Sequence, residues 1–120
     1  MHHADQPVCA TGFPNEYAQS LITILDNAKD TFAERHTDKP QIVITVSQIA
    51  DRSVVTIRDN AGGIPETVMP HIFDPYFSTK EPTAGTGLGL YMAKVLIEQN
   101  MGGHLSAYNI SNGAEFRIEL

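Results

Sequence analysis

The chain has 120 residues, and its 42% hydrophobic and 18% charged content is typical of one folded globular domain and excludes an intrinsically disordered chain. A formal net charge of −6 argues against nucleic acid or an anionic membrane as the main partner. The single cysteine, Cys9, excludes an internal disulfide bond, and no apolar run reaches the length of a membrane span. We therefore expect a monomeric, cytoplasmic domain without direct membrane contact.

The N-terminal part of the chain predicts one long helix. Residues 1–6 are polar, and we expect a disordered natural start or an expression tag there, so that the domain spans 7–120. Residues 8–11 form a candidate strand. Apolar side chains then recur at helical spacing over 17–34, and Pro14 suits the first turn of that helix.

The middle of the chain predicts a hairpin followed by irregular structure. Segments 41–49 and 53–58 are rich in Val, Ile and Thr and are separated by a short turn. Residues 59–65 form a polar, Gly-rich turn in this interpretation, residues 66–72 a short helix, and residues 73–86 a loop with prolines.

A second long helix is predicted over 87–100, because Gly102 and Gly103 supply a C-terminal stop. Residues 104–110 and 114–120 predict a closing hairpin. Helices that alternate with mainly antiparallel strands indicate an α/β two-layer sandwich, in which a mixed, mostly antiparallel sheet packs against about three helices.

The segment Gly85-Thr86-Gly87-Leu88-Gly89-Leu90 comes directly before the second predicted helix. Its glycines allow a ligand to approach the backbone closely, and the helix N-terminus offers free N–H groups to an anion, most naturally a phosphate. The spacing differs from that of a dinucleotide-binding fingerprint, and the Gly-Lys-Ser/Thr of a Walker A loop is missing. The alternative interpretation is a glycine-rich hinge.

A carboxylate followed by small residues occurs in Asp59-Asn60-Ala61-Gly62-Gly63-Ile64-Pro65, after a β-rich segment. The carboxylate can accept a hydrogen bond from an amine such as that of adenine, and the glycines leave room for a flat ring. The alternative is a tight turn in which Asp59 caps its own backbone.

The first predicted helix carries a polar stripe beside its apolar face, made of Thr23, Asn27, Asp30 and Glu34. The amide oxygen of Asn27 is a suitable ligand for a hard cation such as Mg²⁺. The alternative is the ordinary solvent face of an amphipathic helix.

The last candidate segment is Ile72-Phe73-Asp74-Pro75-Tyr76-Phe77-Ser78-Thr79-Lys80. Its aromatic side chains can pin a loop to the core and cover a ligand, and Lys80 can reach a phosphate. The alternatives are ordinary packing, expected for Phe73 at least, and a solvated lysine.

Together, the order and spacing of these segments resemble the ATP-binding catalytic domain of sensor histidine kinases, which belongs to the GHKL superfamily of ATPases and kinases. The resemblance extends over residues 12–120 and includes the closing Gly113-Ala114-Glu115-Phe116-Arg117-Ile118-Glu119-Leu120 strand. The start Gly12-x-Pro14-Asn15-Glu16 and the short loop before Gly85 look most like the nitrogen-regulator type.

The resemblance implies that Mg²⁺-ATP binds between the helices and the sheet, with ADP as product. It implies that Asn27 holds Mg²⁺, that Asp59 binds the adenine amine, and that a short lid at 78–84 leaves the nucleotide tail exposed. The full set of nucleotide-binding residues that it implies is Asn27, Asp30, Asp59, Ala61, Gly63, Ile64, Phe73, Lys80, Gly85, Thr86, Gly87, Leu88, Gly89 and Leu90.

Three departures from the family pattern bear on the mechanism. Thr23 stands where related ATPases have a Glu general base, so efficient hydrolysis of ATP is disfavoured. Asp30, with Lys29 beside it, stands where a Lys or His often supports the phosphates. None of the 5 histidines has the sequence context of a phosphoacceptor, so we expect the dimerisation and phosphoacceptor domain to be absent from this chain.

The function that the resemblance implies is transfer of the γ-phosphoryl group to a histidine on a separate helical dimerisation domain. A response regulator is then the downstream partner in two-component signalling, and the parent protein can be membrane-anchored. Two alternatives stay open: a serine protein kinase of the anti-sigma type, and a nucleotide-gated binding module without transfer.

Overall fold

The computed structural model describes residues 14–75 and 89–120. The candidate strand at 8–11 and the segment 76–88, which includes most of the glycine motif, lie outside the described residues. Within the described ranges, no helix combines the length and the apolar character needed to cross a membrane.

Helix α1, Pro14–Arg35, carries the apolar stripe that the sequence predicts. Ile24 and Ala28, one turn apart, are buried, whereas Ile22 on the opposite side has 51% of its surface exposed. Glu16 in the first turn and Arg35 in the last turn both have the sign of charge that the helix dipole favours. The helix predicted over 17–34 is therefore confirmed, with about one extra turn at its start.

Within the described residues the sheet contains four strands: β1 (Ile42–Ile49), β2 (Arg52–Asp59), β3 (His104–Ile110) and β4 (Gly113–Glu119). Their order is β1-β2-β4-β3, and every pair of described strands is antiparallel. The two hairpins that the sequence predicts therefore meet along β2 and β4, where Ile57 lies opposite Phe116. This pairing brings the end of β2 next to the start of β4.

The second long helix begins in the described residues as α2, Gly89–Val95, and widens into a π-helical turn, Leu96–Asn100. Gly102 adopts a φ of 68°, and the N–H of Gly103 donates to the carbonyl of Ile97 at 2.8 Å. This is the glycine stop that the sequence predicts.

The helix predicted over 66–72 is reduced to a single 3₁₀ turn, Met69–His71. The N–H groups of Val68 and His71 donate to carbonyls three residues earlier, at 2.9 Å in both cases. Pro70 has no N–H to donate, so a longer α-helix would lose a hydrogen bond at that position.

One core joins both layers. Its buried side chains come from α1, from the second helix and from strands β2, β3 and β4: they are Ile24, Ala93, Ile97, Val55, Ile57, Leu105, Phe116 and Ile118. The α/β two-layer sandwich is confirmed, and the helices cover one face of an antiparallel sheet.

Candidate functional site

Asp59 is the last residue of β2, and its carboxylate closes the turn that follows. Oδ1 accepts hydrogen bonds from the N–H groups of Ala61 at 3.0 Å and Ala114 at 3.3 Å. Among the described residues, no group donates to Oδ2. The turn interpretation and the ligand interpretation are therefore compatible, because one oxygen holds the backbone and the other stays available.

The two glycines after Asp59 have left-handed backbone conformations, with φ of 98° at Gly62 and 88° at Gly63. A Cβ at Gly63 would lie 3.0 Å from Oδ1 of Asn109 and 3.3 Å from the carbonyl oxygen of Gly113. Side chains are disfavoured at both positions by the backbone, and at Gly63 by crowding as well. Ala61, before them, is buried with 5% exposure.

Two asparagine side chains fix this loop to its surroundings. Asn109 on β3 accepts from the N–H of Ile64 at 2.7 Å and donates to its carbonyl at 2.8 Å. Asn60 accepts from the N–H of Gln41 at 2.8 Å and donates to the carbonyl of Lys39 at 3.1 Å. Each amide pairs with backbone groups as a neighbouring strand would, so the loop has a defined shape before any ligand binds.

A third contact comes from the end of α1. Nη1 of Arg35 donates to the carbonyl oxygens of Ala61 at 2.6 Å and Gly63 at 2.7 Å. The sequence prediction missed both Arg35 and Asn109. Nothing local to either residue marks these contacts, because their partners are separated by 26 to 45 positions along the chain.

The polar stripe of α1 faces the start of α2 at Thr23. A Cβ at Gly89 would lie 3.2 Å from Cγ2 of Thr23, so the backbone of Gly89 lies directly against α1. Asn27 follows Thr23 by one turn and is half-buried, and its side chain makes no hydrogen bond with the described residues. Asn27 therefore lies one helical turn along α1 from the residue that contacts the C-terminal end of the glycine segment.

The remaining predicted site residues lie in different surroundings. Phe73 packs edge-to-face on Phe116, with ring centroids 6.3 Å apart, as expected for ordinary packing. Ile64 and Leu90 also contact the core, and Asp30 is half-buried on α1 with an interaction of its own. The others lie outside the described residues, and their roles remain predictions: Lys80, Gly85, Thr86, Gly87 and Leu88.

An ionic cluster joins the second helix to β3. Glu98 accepts from the N–H of Leu105 at 3.1 Å, and it lies 3.3 Å from Nζ of Lys94 and 3.1 Å from Nδ1 of His104. Burial acts to raise the pKa of Glu98, but the Leu105 hydrogen bond and the two basic neighbours outweigh it, so the pKa falls below the ordinary value of 4.5. Lys94 also lies 4.7 Å from the ring centre of Phe73.

The described part of the site thus offers one open carboxylate oxygen next to a glycine-lined turn. On α1 it offers an uncommitted amide, one helical turn from the residue that contacts the start of α2. A carboxylate in a small-residue cradle is suited to a flat ring that carries an amine. An amide oxygen near a helix start is suited to a hard cation that travels with phosphates. The chemistry of these groups fits a magnesium nucleotide.

Comparisons with known proteins agree with this chemistry. A family model described as histidine kinase-, DNA gyrase B- and HSP90-like ATPase matches residues 14–120. The two-component sensor PprA of Pseudomonas aeruginosa is 34% identical over 96% of this chain and 13% of its own length. The C4-dicarboxylate transport sensor protein DctB of the same organism is 32% identical over 97% of this chain and 19% of its own length.

The fold also has solved counterparts. The catalytic domain of histidine kinase ThkA, in a nucleotide-free form, superposes with a TM-score of 0.78 and 32% identity, over 92% of this chain and 69% of that chain. The present chain spans less than a quarter of the length of the curated relatives named above, so it corresponds to one part of those proteins.

Proposed function

The chain belongs to the family of histidine kinase-, DNA gyrase B- and HSP90-like ATPases, and from that membership we propose that it binds Mg²⁺-ATP and donates the γ-phosphoryl group to a protein histidine. The likeness to sensor histidine kinases, in sequence and in structure, favours that branch of the family. The observation that carries the proposal furthest is the carboxylate of Asp59, which uses Oδ1 for the protein and leaves Oδ2 open.

Base recognition is assigned to Asp59 and the turn behind it. An ionised carboxylate accepts a hydrogen bond from the exocyclic amine of adenine, whereas the carbonyl of guanine at that position would face it with another acceptor. A side chain at Gly63 would crowd Asn109 and the carbonyl of Gly113, which border the turn, and Ala61 occupies the turn with a small side chain. We therefore expect a preference for adenine over guanine nucleotides.

The phosphate end is assigned to Asn27 and the glycine segment. Asn27 would hold Mg²⁺, and Gly85, Gly87 and Gly89 would offer backbone N–H groups, with Lys80 as an additional positive charge. Bound Mg²⁺ supplies charge neutralisation for the phosphates. This matters in a chain whose own net charge is −6, because the protein as a whole repels a nucleotide anion.

The chain need not supply a nucleophile or a general base. In the proposed step a ring nitrogen of the acceptor histidine forms a bond to the γ-phosphorus, the bond to the bridging oxygen breaks, and ADP leaves. The hydroxyl of Thr23 donates to the carbonyl of Gln19 at 2.9 Å, and a threonine cannot act as a base at neutral pH. This favours transfer to a protein over hydrolysis.

The proposed acceptor is a histidine on a helical dimerisation domain outside this chain, and a response regulator is the proposed next partner. The likeness to the two-component sensor PprA supports this assignment. For the parent protein we propose this general role in two-component signalling, without a particular signal or membrane anchor.

The decisive experiment mixes the domain with γ-labelled ATP, Mg²⁺ and a separately produced histidine-bearing helical domain. We expect label on that partner that is lost in acid and kept in base, as phosphohistidine requires. Acid-stable label on serine would instead identify the serine-kinase alternative, and tight nucleotide binding without any transfer would identify a binding module.

Asp59→Asn is the matched variant for that experiment. Asparagine keeps one side-chain oxygen, so the hydrogen bonds from Ala61 and Ala114 can persist, while the open oxygen is replaced by an amide donor. We expect ADP affinity to fall at least about a hundredfold with little change in melting temperature. Retained affinity measured by calorimetry would refute the role of Asp59 in binding adenine.

A further inference from the structure

The guanidinium of Arg35 acts as a clip on the loop that follows β2. One nitrogen, Nη1, donates to two carbonyl oxygens, those of Ala61 at 2.6 Å and Gly63 at 2.7 Å. Nη1 carries two hydrogens, so both bonds can be made at once. Each is charge-assisted, which makes it stronger than a bond between neutral groups.

The loop has a physical need for such a clip. Its carbonyls at Ala61 and Gly63 point to the same cation, and two carbonyl dipoles that converge without a donor between them would repel each other. The intervening Gly62 has a left-handed φ of 98°, and a Cβ there would lie 3.1 Å from Nη1 of Arg35. Arg35 therefore occupies the space that the missing side chain leaves.

The clip is connected directly to the carboxylate. The same residue, Ala61, accepts from Arg35 through its carbonyl and donates to Oδ1 of Asp59 through its N–H, at 2.6 Å and 3.0 Å. Loss of the Arg35 contact would free this residue on one side and loosen the hydrogen bond that orients the Asp59 carboxylate.

We propose that Arg35 is a positioning residue that holds Asp59 and its loop in the shape that receives the adenine ring. This inference rests on the proposed function. It makes α1 a single rigid element with two tasks, because Asn27 and Arg35 lie 8 residues, or about 12 Å, apart along the same helix. The helix would thereby set the spacing between the magnesium end and the base end of the nucleotide.

The test compares three variants of the chain in calorimetric titrations with ADP, each with and without Mg²⁺. Arg35→Met removes the clip, and Arg35→Lys keeps the charge and a donor. Arg52→Met removes an equivalent charge at the other end of β2, about 23 Å along the strand from Asp59. Arg52 is largely exposed, and its distance to Glu119 is 3.9 Å, so it is a fair control for loss of positive charge.

We expect Arg35→Met to weaken ADP binding about tenfold, because the loop must then be ordered at the expense of binding free energy. Arg35→Lys should recover part of that loss, and Arg52→Met should bind like the parent chain. The ratio of affinities with and without Mg²⁺ should stay unchanged in Arg35→Met, since the magnesium end is intact. Backbone amide exchange at 61–64 without nucleotide should be faster in Arg35→Met.

Three results would overturn the inference. Parent-like ADP affinity and amide exchange in Arg35→Met would show that the clip does not matter. An equal loss in Arg52→Met would reduce the effect to general charge, and a collapse of the Mg²⁺ ratio would indicate damage to the whole site. Failure of the parent chain itself to bind ADP is a separate outcome: it would overturn the proposed function and this inference with it, whereas the three results above would leave the proposed function standing.

Discussion

At the scale of single residues, the site depends on positions where a side chain would collide with the backbone. Gly113 is the clearest case, since a Cβ there would overlap the carbonyl group of Asp59. The sequence places this glycine where the hairpin turn meets the closing strand, and in the structure it is the buried first residue of β4. Its role is to let the start of β4 approach the end of β2.

Gly113→Ala should destabilise the domain by about 3 kcal/mol or more, because neither backbone can move away without breaking sheet hydrogen bonds. Gly102→Ala is the matched control: its φ is 68°, but a Cβ there meets no atom within 4 Å. That variant should lose only about 1 kcal/mol, the cost of a left-handed non-glycine residue. Urea unfolding measures both, and equal losses would contradict the proposed overlap at Gly113.

Asn27→Ala tests the magnesium assignment. The side chain of Asn27 makes no hydrogen bond with the described residues, and alanine is the better helix former, so the free energy of unfolding should not fall. ADP binding without Mg²⁺ should persist, while the gain in affinity on adding Mg²⁺ should disappear. If calorimetry shows both forms of binding unchanged, Asn27 is only a residue of the helix face.

At the scale of elements, the second helix and β3 are joined by polar contacts as well as by the core. Lys94 donates to the carbonyl of Leu105 at 3.1 Å, and Glu98 accepts from the N–H of the same residue. This pair of contacts fixes the start of β3 against the helix. It also holds Lys94 over the ring of Phe73.

The lowered pKa of Glu98 makes this junction sensitive to acid. Its carboxylate is favoured in the folded state, so the stabilisation is fully present above the ordinary value of 4.5 and is lost as pH falls through the lower folded pKa. Glu98→Gln should therefore be less stable than the parent near neutral pH, by on the order of 1 kcal/mol, and should lose less stability on acidification.

Thermal melts between about pH 7 and pH 3 measure this difference. Glu66→Gln, which changes an exposed carboxylate in the turn after Pro65, is the control and should keep the acid slope of the parent. An unchanged slope in Glu98→Gln would contradict the assignment of the acid sensitivity to this cluster.

At the scale of the whole molecule, the helices and the sheet share one core, so the two ends of the proposed nucleotide site cannot vary independently. Ile24 of α1 packs in the same cluster as Ile97 of the second helix and Phe116 of β4. The clip from Arg35 then adds a polar link between the same helix and the end of β2.

Ile24→Ala should lower the free energy of unfolding by about 2–5 kcal/mol, because Ile24 is 1% exposed and its removal leaves a cavity between the layers. Ile22→Ala, two residues earlier on the same helix and 51% exposed, should cost less than about 1 kcal/mol. Urea unfolding followed by far-UV and near-UV signals should give one shared transition for each variant. Similar losses of unfolding free energy in the two variants would contradict the orientation of α1, in which Ile24 faces the core and Ile22 faces solvent.

Much of this molecule follows from the sequence by itself. The periodicity of apolar residues located α1, because burial of one face imposes a repeat of 3.6 residues on a helix. Segments rich in β-branched residues and the turn signals between them located the four described strands within a few positions. The proposed site residues came from the resemblance to the catalytic domain of sensor histidine kinases, and their ligand roles stay predictions. The short helix predicted at 66–72 was too long, since Pro70 removes a donor that a longer helix would need.

Only the tertiary structure decided how the turn after Asp59 is held. The order β1-β2-β4-β3 brings Asn109, Gly113 and Ala114 to the end of β2, and the packing of α1 brings Arg35 to the same turn. No local pattern encodes these contacts, because a hydrogen bond between residues tens of positions apart depends on where the whole chain folds back. The sequence determined which residues are chemically able to bind a nucleotide, and the fold decided which of them share one turn.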